Sequence, residues 1–193
     1  MKCTPINTAL ALSTTAILLT ACASAPTPLM AAKPPMAAPY NQSALPDSVK
    51  VPVGNAPAME TVGVGQITYE CRDKKDMAGQ YEWVFVGPDA ALNDRSGKKI
   101  GKYFGPPATW ENMDGSKLTG TQVAIAPAGA GNIPLQLVKA NPATGAGAMT
   151  GVTYIQRVAT QGGVAPSMAC DTAGRGKKEI VKYQADYIFY KAM

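Results

Sequence analysis

The chain has no histidine among its 193 residues. That absence removes Ser-His-Asp and Cys-His catalysis, histidine-ligated zinc and a histidine general base together. Acid–base chemistry would fall to Asp, Glu, Lys or Tyr, so the sequence leans away from an enzyme. Charge is also sparse. Charged residues make up 16% of the chain, with 18 Lys and Arg against 13 Asp and Glu, for a net +5. This mild, dispersed basicity suits an anionic surface but lacks the clustered footprint of a nucleic-acid binder, so no nucleic-acid partner is expected. No apolar run reaches the roughly 20 residues that a membrane-spanning helix needs. Cysteine is confined to Cys3, Cys22, Cys71 and Cys170. With so few metal-ligating side chains, neither a metal site nor a cofactor is expected.

What is present begins at the N-terminus. Lys2 precedes a weakly apolar stretch from about Ala9 to Thr20, which ends in Leu19-Thr20-Ala21-Cys22. The stretch is short enough for a secretory signal. Its closing tetrapeptide is similar to a bacterial lipobox, which makes residues 1–21 a signal peptide and Cys22 the lipidated new N-terminus. The alternative is simple secretion, with cleavage at Ala21-Cys22-Ala23. Ala23 stands where an Asp would favour retention in the inner membrane, so by analogy the outer membrane is favoured. A multiply acylated cysteine anchors stably where a single chain is marginal. The expected address is the bacterial cell envelope, with the membrane as a partner through the lipid on Cys22.

Residues 22–46 then read as a tether. Six prolines fall within residues 23–46, with many alanines and one charge. Proline fixes φ and removes a donor, which favours extended polyproline-like chain with a reach of at most about 70 Å. Residues 47–193 read as one domain. Extended stretches at 49–53, 61–71, 80–86, 99–104, 117–126, 149–159 and 179–190 are divided by dense turn signals such as Asn93-Asp94-Arg95-Ser96-Gly97 and Asp114-Gly115-Ser116. The last stretch places Val181, Tyr183, Ala185, Tyr187 and Phe189 on one face against Lys182, Gln184 and Asp186. Near Gly65-Gln66 the apolar phase shifts, which predicts a bulge. Residues 133–140 fit a short helix or a strand. The expected class is all-β, mainly an antiparallel sandwich or barrel. Once Cys3 leaves with the signal and Cys22 takes lipid, Cys71 and Cys170 remain. In an oxidising compartment they are expected to form a disulfide joining an early strand to a late one; two separate buried thiols are the alternative.

Several segments together resemble one family. They include Ile67-Thr68-Tyr69-Glu70-Cys71, Trp83-Val84-Phe85-Val86-Gly87-Pro88, Tyr103-Phe104-Gly105-Pro106, Thr109-Trp110-Glu111, Tyr154-Ile155-Gln156-Arg157 and Tyr183-Gln184-Ala185-Asp186-Tyr187. In this order, across nearly all of residues 50–190, the chain resembles the domain-of-unknown-function family numbered 3455. The resemblance implies a secreted, single β-rich domain carrying the two cysteines, and no established activity. Some members of that family carry a malate dehydrogenase label. Gly63-Val64-Gly65-Gln66-Ile67-Thr68 argues against it, because it lacks the third glycine of a dinucleotide fingerprint and opens a strand.

Four residues stand out as ligand-binding candidates. Trp110 beside Glu111, with Asp114 after it, could stack a sugar ring and hydrogen-bond its hydroxyls, or Trp110 could pack on the sheet ahead of a hairpin turn. Arg157 would share a strand face with Thr153 and Ile155, opposite Val152, Tyr154 and Val158. There it would bind a carboxylate or phosphate, or pair with Glu111, Asp171 or Asp186. The leading expectation is an envelope lipoprotein that presents a disulfide-closed β domain to a small ligand, a glycan or an envelope protein. The alternatives are a polysaccharide-active enzyme using paired Asp and Glu residues, and a structural partner in an envelope complex.

Overall fold

The computed structural model describes residues 41–193. The expected signal peptide, Cys22 and most of the expected tether lie outside the described residues. The alternating stretches become β1 (Asn55–Asp73), β2 (Tyr81–Asn93), β3 (Lys99–Phe104), β4 (Thr109–Asn112), β5 (Lys117–Ala126), β6 (Leu135–Ala140), β7 (Val152–Gly162) and β8 (Lys178–Ala192). Each strand pairs antiparallel with the next, and β1 pairs with β8, so the sheet closes into an up-and-down barrel. Closure leaves no open sheet edge, which decides for a barrel over a sandwich. The ambiguous segment at 133–140 becomes strand β6. Helical backbone among the described residues is limited to short 3-10 turns at Asp47–Val49 and Thr172–Gly174.

The phase of β1 corrects one expectation. Thr61, Gly63, Ile67, Tyr69 and Cys71 are all buried, so the inward phase runs unbroken and there is no bulge at Gly65-Gln66. The impression of a shift comes from glycine at two inward positions, with Val62 and Val64 facing outward between them. A Cβ on Gly63 would lie 2.6 Å from Cε2 of Tyr187, and one on Gly65 would collide with the backbone of Asp89 and Ala90. These glycines serve close packing in a strand, and a meander of antiparallel strands offers no βαβ unit for a dinucleotide. The register of β1 breaks elsewhere, at Thr68/Tyr69 against β2 and at Pro57/Met59 against β8.

Two apolar cores result. The barrel interior holds Ile67, Tyr69, Leu92, Tyr103, Trp110, Leu118, Met149, Ile155, Tyr183, Tyr187 and Phe189. The inward row of β8 matches the pattern expected from its sequence. Ile188 and Tyr190, on the other face of β8, are buried as well, because a second core lies outside the wall. There Val49 and Val51 pack on Ala126, Leu137, Val158, Ile188 and Tyr190. Residues 49–53, expected as a strand, therefore lie outside the sheet, with Val49 and Val51 forming an apolar cover and Val53 fully exposed.

The cover is fixed by a buried amide. Gln156 has no exposed surface; its Nε2 donates to the Val49 carbonyl at 2.6 Å and to Oε1 of Gln42 at 3.2 Å, while Tyr190 Oη donates to its Oε1 at 3.1 Å. Gln42 in turn accepts from Val51 N at 2.8 Å and donates to the Val51 carbonyl at 3.2 Å. Among the described residues, contacts with the barrel thus include Gln42, ahead of Asp47. Every polar atom of the Gln156 amide has a partner, which is what makes its burial tolerable.

Cys71 and Cys170 form a disulfide, with Cα atoms 5.5 Å apart. Cys71 is on β1, but Cys170 lies in the β7–β8 loop, so the bond ties a strand to a loop where two strands were expected. The loop is pinned further by Cys71 N to the Lys177 carbonyl (2.9 Å), Gly176 N to the Cys71 carbonyl (2.8 Å) and Trp83 Nε1 to the Met168 carbonyl (2.9 Å).

Candidate functional site

In an up-and-down barrel the connections alternate between its ends. The β1–β2, β3–β4, β5–β6 and β7–β8 loops share one end, and there a cavity of about 310 Å³ opens among Phe85, Tyr103, Trp110, Gln122, Gln136 and Arg157, with Ala108, Gly120 and Val138 completing the wall. Two of the four residues singled out from sequence, Trp110 and Arg157, meet here. They are 47 positions apart in the chain, and barrel closure brings them together.

Strand pairing explains the wall. Trp110 on β4 lies between Tyr103 of β3 and Leu118 of β5 in register, and all three are buried inward. The indole stacks on Tyr103 with ring centroids 4.7 Å apart and planes at 21°, and meets Tyr187 nearly edge-on at 6.0 Å. Trp110 is only 1% exposed: it packs in the core, and it also borders the cavity. Its buried Nε1 has no hydrogen-bond partner among the described residues.

Arg157 on β7 pairs in register with Gln136 of β6 and Tyr187 of β8. It shares the inward face with Ile155 as expected, but Val152 joins them there, because a register break between Val152 and Tyr154 moves it to the interior. The guanidinium donates through Nε and Nη2 to the Pro134 carbonyl, at 3.2 and 3.0 Å. Among the described residues Arg157 makes no ion pair. Its expected carboxylate partners are engaged elsewhere: Asp186 with Arg95 at 2.7 Å, Glu111 with Lys102 at 3.5 Å, and Asp171 as the cap on Gly174 N at 2.9 Å.

Several phenols lie within reach of that charge. Burial raises the Tyr103, Tyr183 and Tyr187 hydroxyls above the ordinary tyrosine value, and the positive charge of Arg157 acts against that rise on each. They are therefore protonated donors at neutral pH. At the rim, Gln136 Nε2 donates to Gln122 Oε1 at 2.6 Å. The cavity thus combines an aromatic wall, one cation, the neutral hydroxyl of Tyr103 and an amide pair. No Asp or Glu lines it.

Glu111 and Asp114 do not join this group. Asp114 organises the β4–β5 turn, at the other end of the barrel. Its Oδ1 accepts from Ser116 N (2.9 Å) and Oγ (2.6 Å), and its Oδ2 accepts from Ala148 N in the β6–β7 connection (2.7 Å). The hydrogen bond from the Ser116 hydroxyl, followed by those from the Ala148 and Ser116 amides, holds this carboxyl below its ordinary value. A depressed folded-state pKa means stability that is present above the unfolded value near 3.9 and is lost as pH falls through the folded one. Asp114→Asn is therefore expected to lower the thermal midpoint at pH 7, with the gap to wild type closing below about pH 4. A gap that stays constant down to pH 2 would refute the assignment.

The residues that sequence reasoning missed are Phe85, Tyr103, Gln122 and Gln136. The signal for Tyr103 was its place in the alternation of β3. For the others only strand pairing could have supplied one.

Comparison with curated proteins and with solved structures finds no match. The family model described as "Protein of unknown function (DUF3455)" matches residues 52–191. That span covers all eight strands of the barrel but for the last residue of β8, and most of the described residues, and the chain belongs to this family.

Proposed function

We propose that this protein is a binding module of the bacterial envelope, anchored through a lipid on Cys22, whose barrel takes a small ligand in the cavity beside Arg157. The observation that carries the reading is Arg157 itself, a half-buried arginine with no ion pair among the described residues, in a pocket walled by Trp110, Tyr103 and Phe85. Desolvating a cation without a counter-ion is costly, and a ligand that supplies the opposite charge offsets that cost. The volume sits at the lower end of the range for small-molecule sites, about 300–1,000 Å³. The lipobox-like Leu19-Thr20-Ala21-Cys22 and Ala23 support an outer-membrane anchor, and the Cys71–Cys170 disulfide fits an oxidising compartment.

The paired-carboxylate enzyme is the weaker reading, because Glu111 and Asp114 bond to other groups away from the cavity. Two experiments test the proposal. Labelled palmitate should enter the full-length protein in a bacterial host and be lost in Cys22→Ser; label retained in that variant would remove the anchor. For the cavity, a thermal-shift screen of the full-length protein in detergent would use small carboxylates, oligosaccharides, cell-wall fragments and fatty acids. A ligand of the native state raises the midpoint by mass action. If no compound moves it, small-ligand binding falls.

A further inference from the structure

The cavity wall narrows the ligand class, an inference that rests on the binding reading above. From the unpaired Arg157 guanidinium set in an aromatic wall, we infer that the cavity selects a compact aromatic monocarboxylate, with the carboxylate on Arg157 and the ring among Phe85, Tyr103 and Trp110.

Arginine has five N–H donors. The Pro134 carbonyl engages Nε and Nη2, which orients the fork and leaves the Nη1 edge without a protein acceptor among the described residues. A carboxylate matches the planar fork in a bidentate way. The charge count selects against a dianion such as phosphate. Among the described residues Arg157 is the one cation lining the cavity, and the remaining polar side chains of the wall, Tyr103, Trp110, Gln122 and Gln136, are neutral. A second negative charge would be desolvated without a partner. The indole N–H of Trp110 is one further donor in the same wall that lacks an acceptor among the described residues.

The body of the ligand follows from the other residues. Phe85 is half exposed at the mouth and meets Tyr69 edge-to-face at 6.0 Å. Ala108, Gly120 and Val138 add small apolar surface to the wall. A flat apolar ring gains contact with these side chains and forfeits little hydration. A sugar would bring many hydroxyls to a wall whose polar groups are few: Arg157, the Tyr103 hydroxyl, the Trp110 N–H and the rim glutamines.

The test uses matched probes on the full-length protein in detergent, followed by tryptophan fluorescence and calorimetry. Benzoate and phenylacetate are the acids, benzamide is the neutral isostere, and acetate and inorganic phosphate are anions without a ring. Benzoate or phenylacetate should bind at least tenfold more tightly than benzamide, acetate or phosphate. Arg157→Lys, which keeps the charge but loses the planar fork, should weaken the acid several-fold with circular dichroism unchanged. Benzamide binding as tightly as benzoate would overturn the carboxylate assignment and leave a neutral-ligand cavity standing. Phosphate or acetate matching benzoate would overturn the aromatic body. No binding by any probe, together with a blank thermal-shift screen, would overturn the cavity reading as well.

Discussion

Reducing the Cys71–Cys170 bond should cost more stability than any single surface change in this protein. The bond spans 99 positions. In the chain-entropy model a loop of that length contributes about 4–5 kcal/mol, because the crosslink removes open conformations from the unfolded chain. For a domain of this size that corresponds to roughly 10–20 °C in the thermal midpoint. Cys71 has no exposed surface, whereas Cys170 in the β7–β8 loop is only partly buried. Urea unfolding of the oxidised protein and of a Cys71→Ala/Cys170→Ala variant measures the effect. A variant within 1 kcal/mol of wild type would show that the unfolded chain is already compact enough for the crosslink to restrict little.

Trp110→Ala should follow closely, at about 3–5 kcal/mol, the usual cost of deleting a large aromatic side chain from a core. The indole is 1% exposed and joins Tyr103 and Tyr187 in one aromatic cluster. Trp110→Phe should behave differently. It keeps a ring against Tyr103 and removes the buried N–H that has no acceptor among the described residues. Leaving such a donor unpaired costs about 1–3 kcal/mol, and its removal offsets much of the lost volume. The phenylalanine variant is therefore expected to lose less than half of what the alanine variant loses. Equal losses would mean that the indole N–H carries no penalty. Because the alanine change strikes the core, it is a poor probe of ligand binding, and the matched acid and amide probes avoid that difficulty.

Much of the barrel was legible in the sequence because half-buried antiparallel strands alternate. β3 and β5 have the bounds expected, and the inward row of β8 follows its pattern residue by residue. Where the reading failed, each failure has a local physical cause. Glycine at inward positions 63 and 65 disguised a regular strand as a bulged one, because apolarity marks the interior only where there is room for a side chain. Val49 and Val51 read as strand because an extended segment packed on a sheet has the same composition as one hydrogen-bonded into it. Arg157 was visible as a cation on an apolar face, but its neighbours were not. Only the register, which sets it beside Gln136 and Tyr187, could show that no carboxylate faces it. Glu111 and Asp114 were chosen for closeness in sequence to Trp110, yet Glu111, adjacent on the strand, points to the opposite face, and Asp114 lies in the turn beyond the end of β4.

The cover over the outer wall also decides how the molecule bears mechanical load. A pull on the chain from its N-terminal side reaches residues 42–51 before it reaches β1. That segment is held by Gln42, Gln156 and the side contacts of Val49 and Val51, which yield one after another when peeled. Strand β1 is hydrogen-bonded to neighbours on both sides along much of its length and resists shear over many bonds at once. The cover gives way first, releasing at most about 35 Å of slack over ten residues, and the barrel with its cavity stays closed while that slack is taken up.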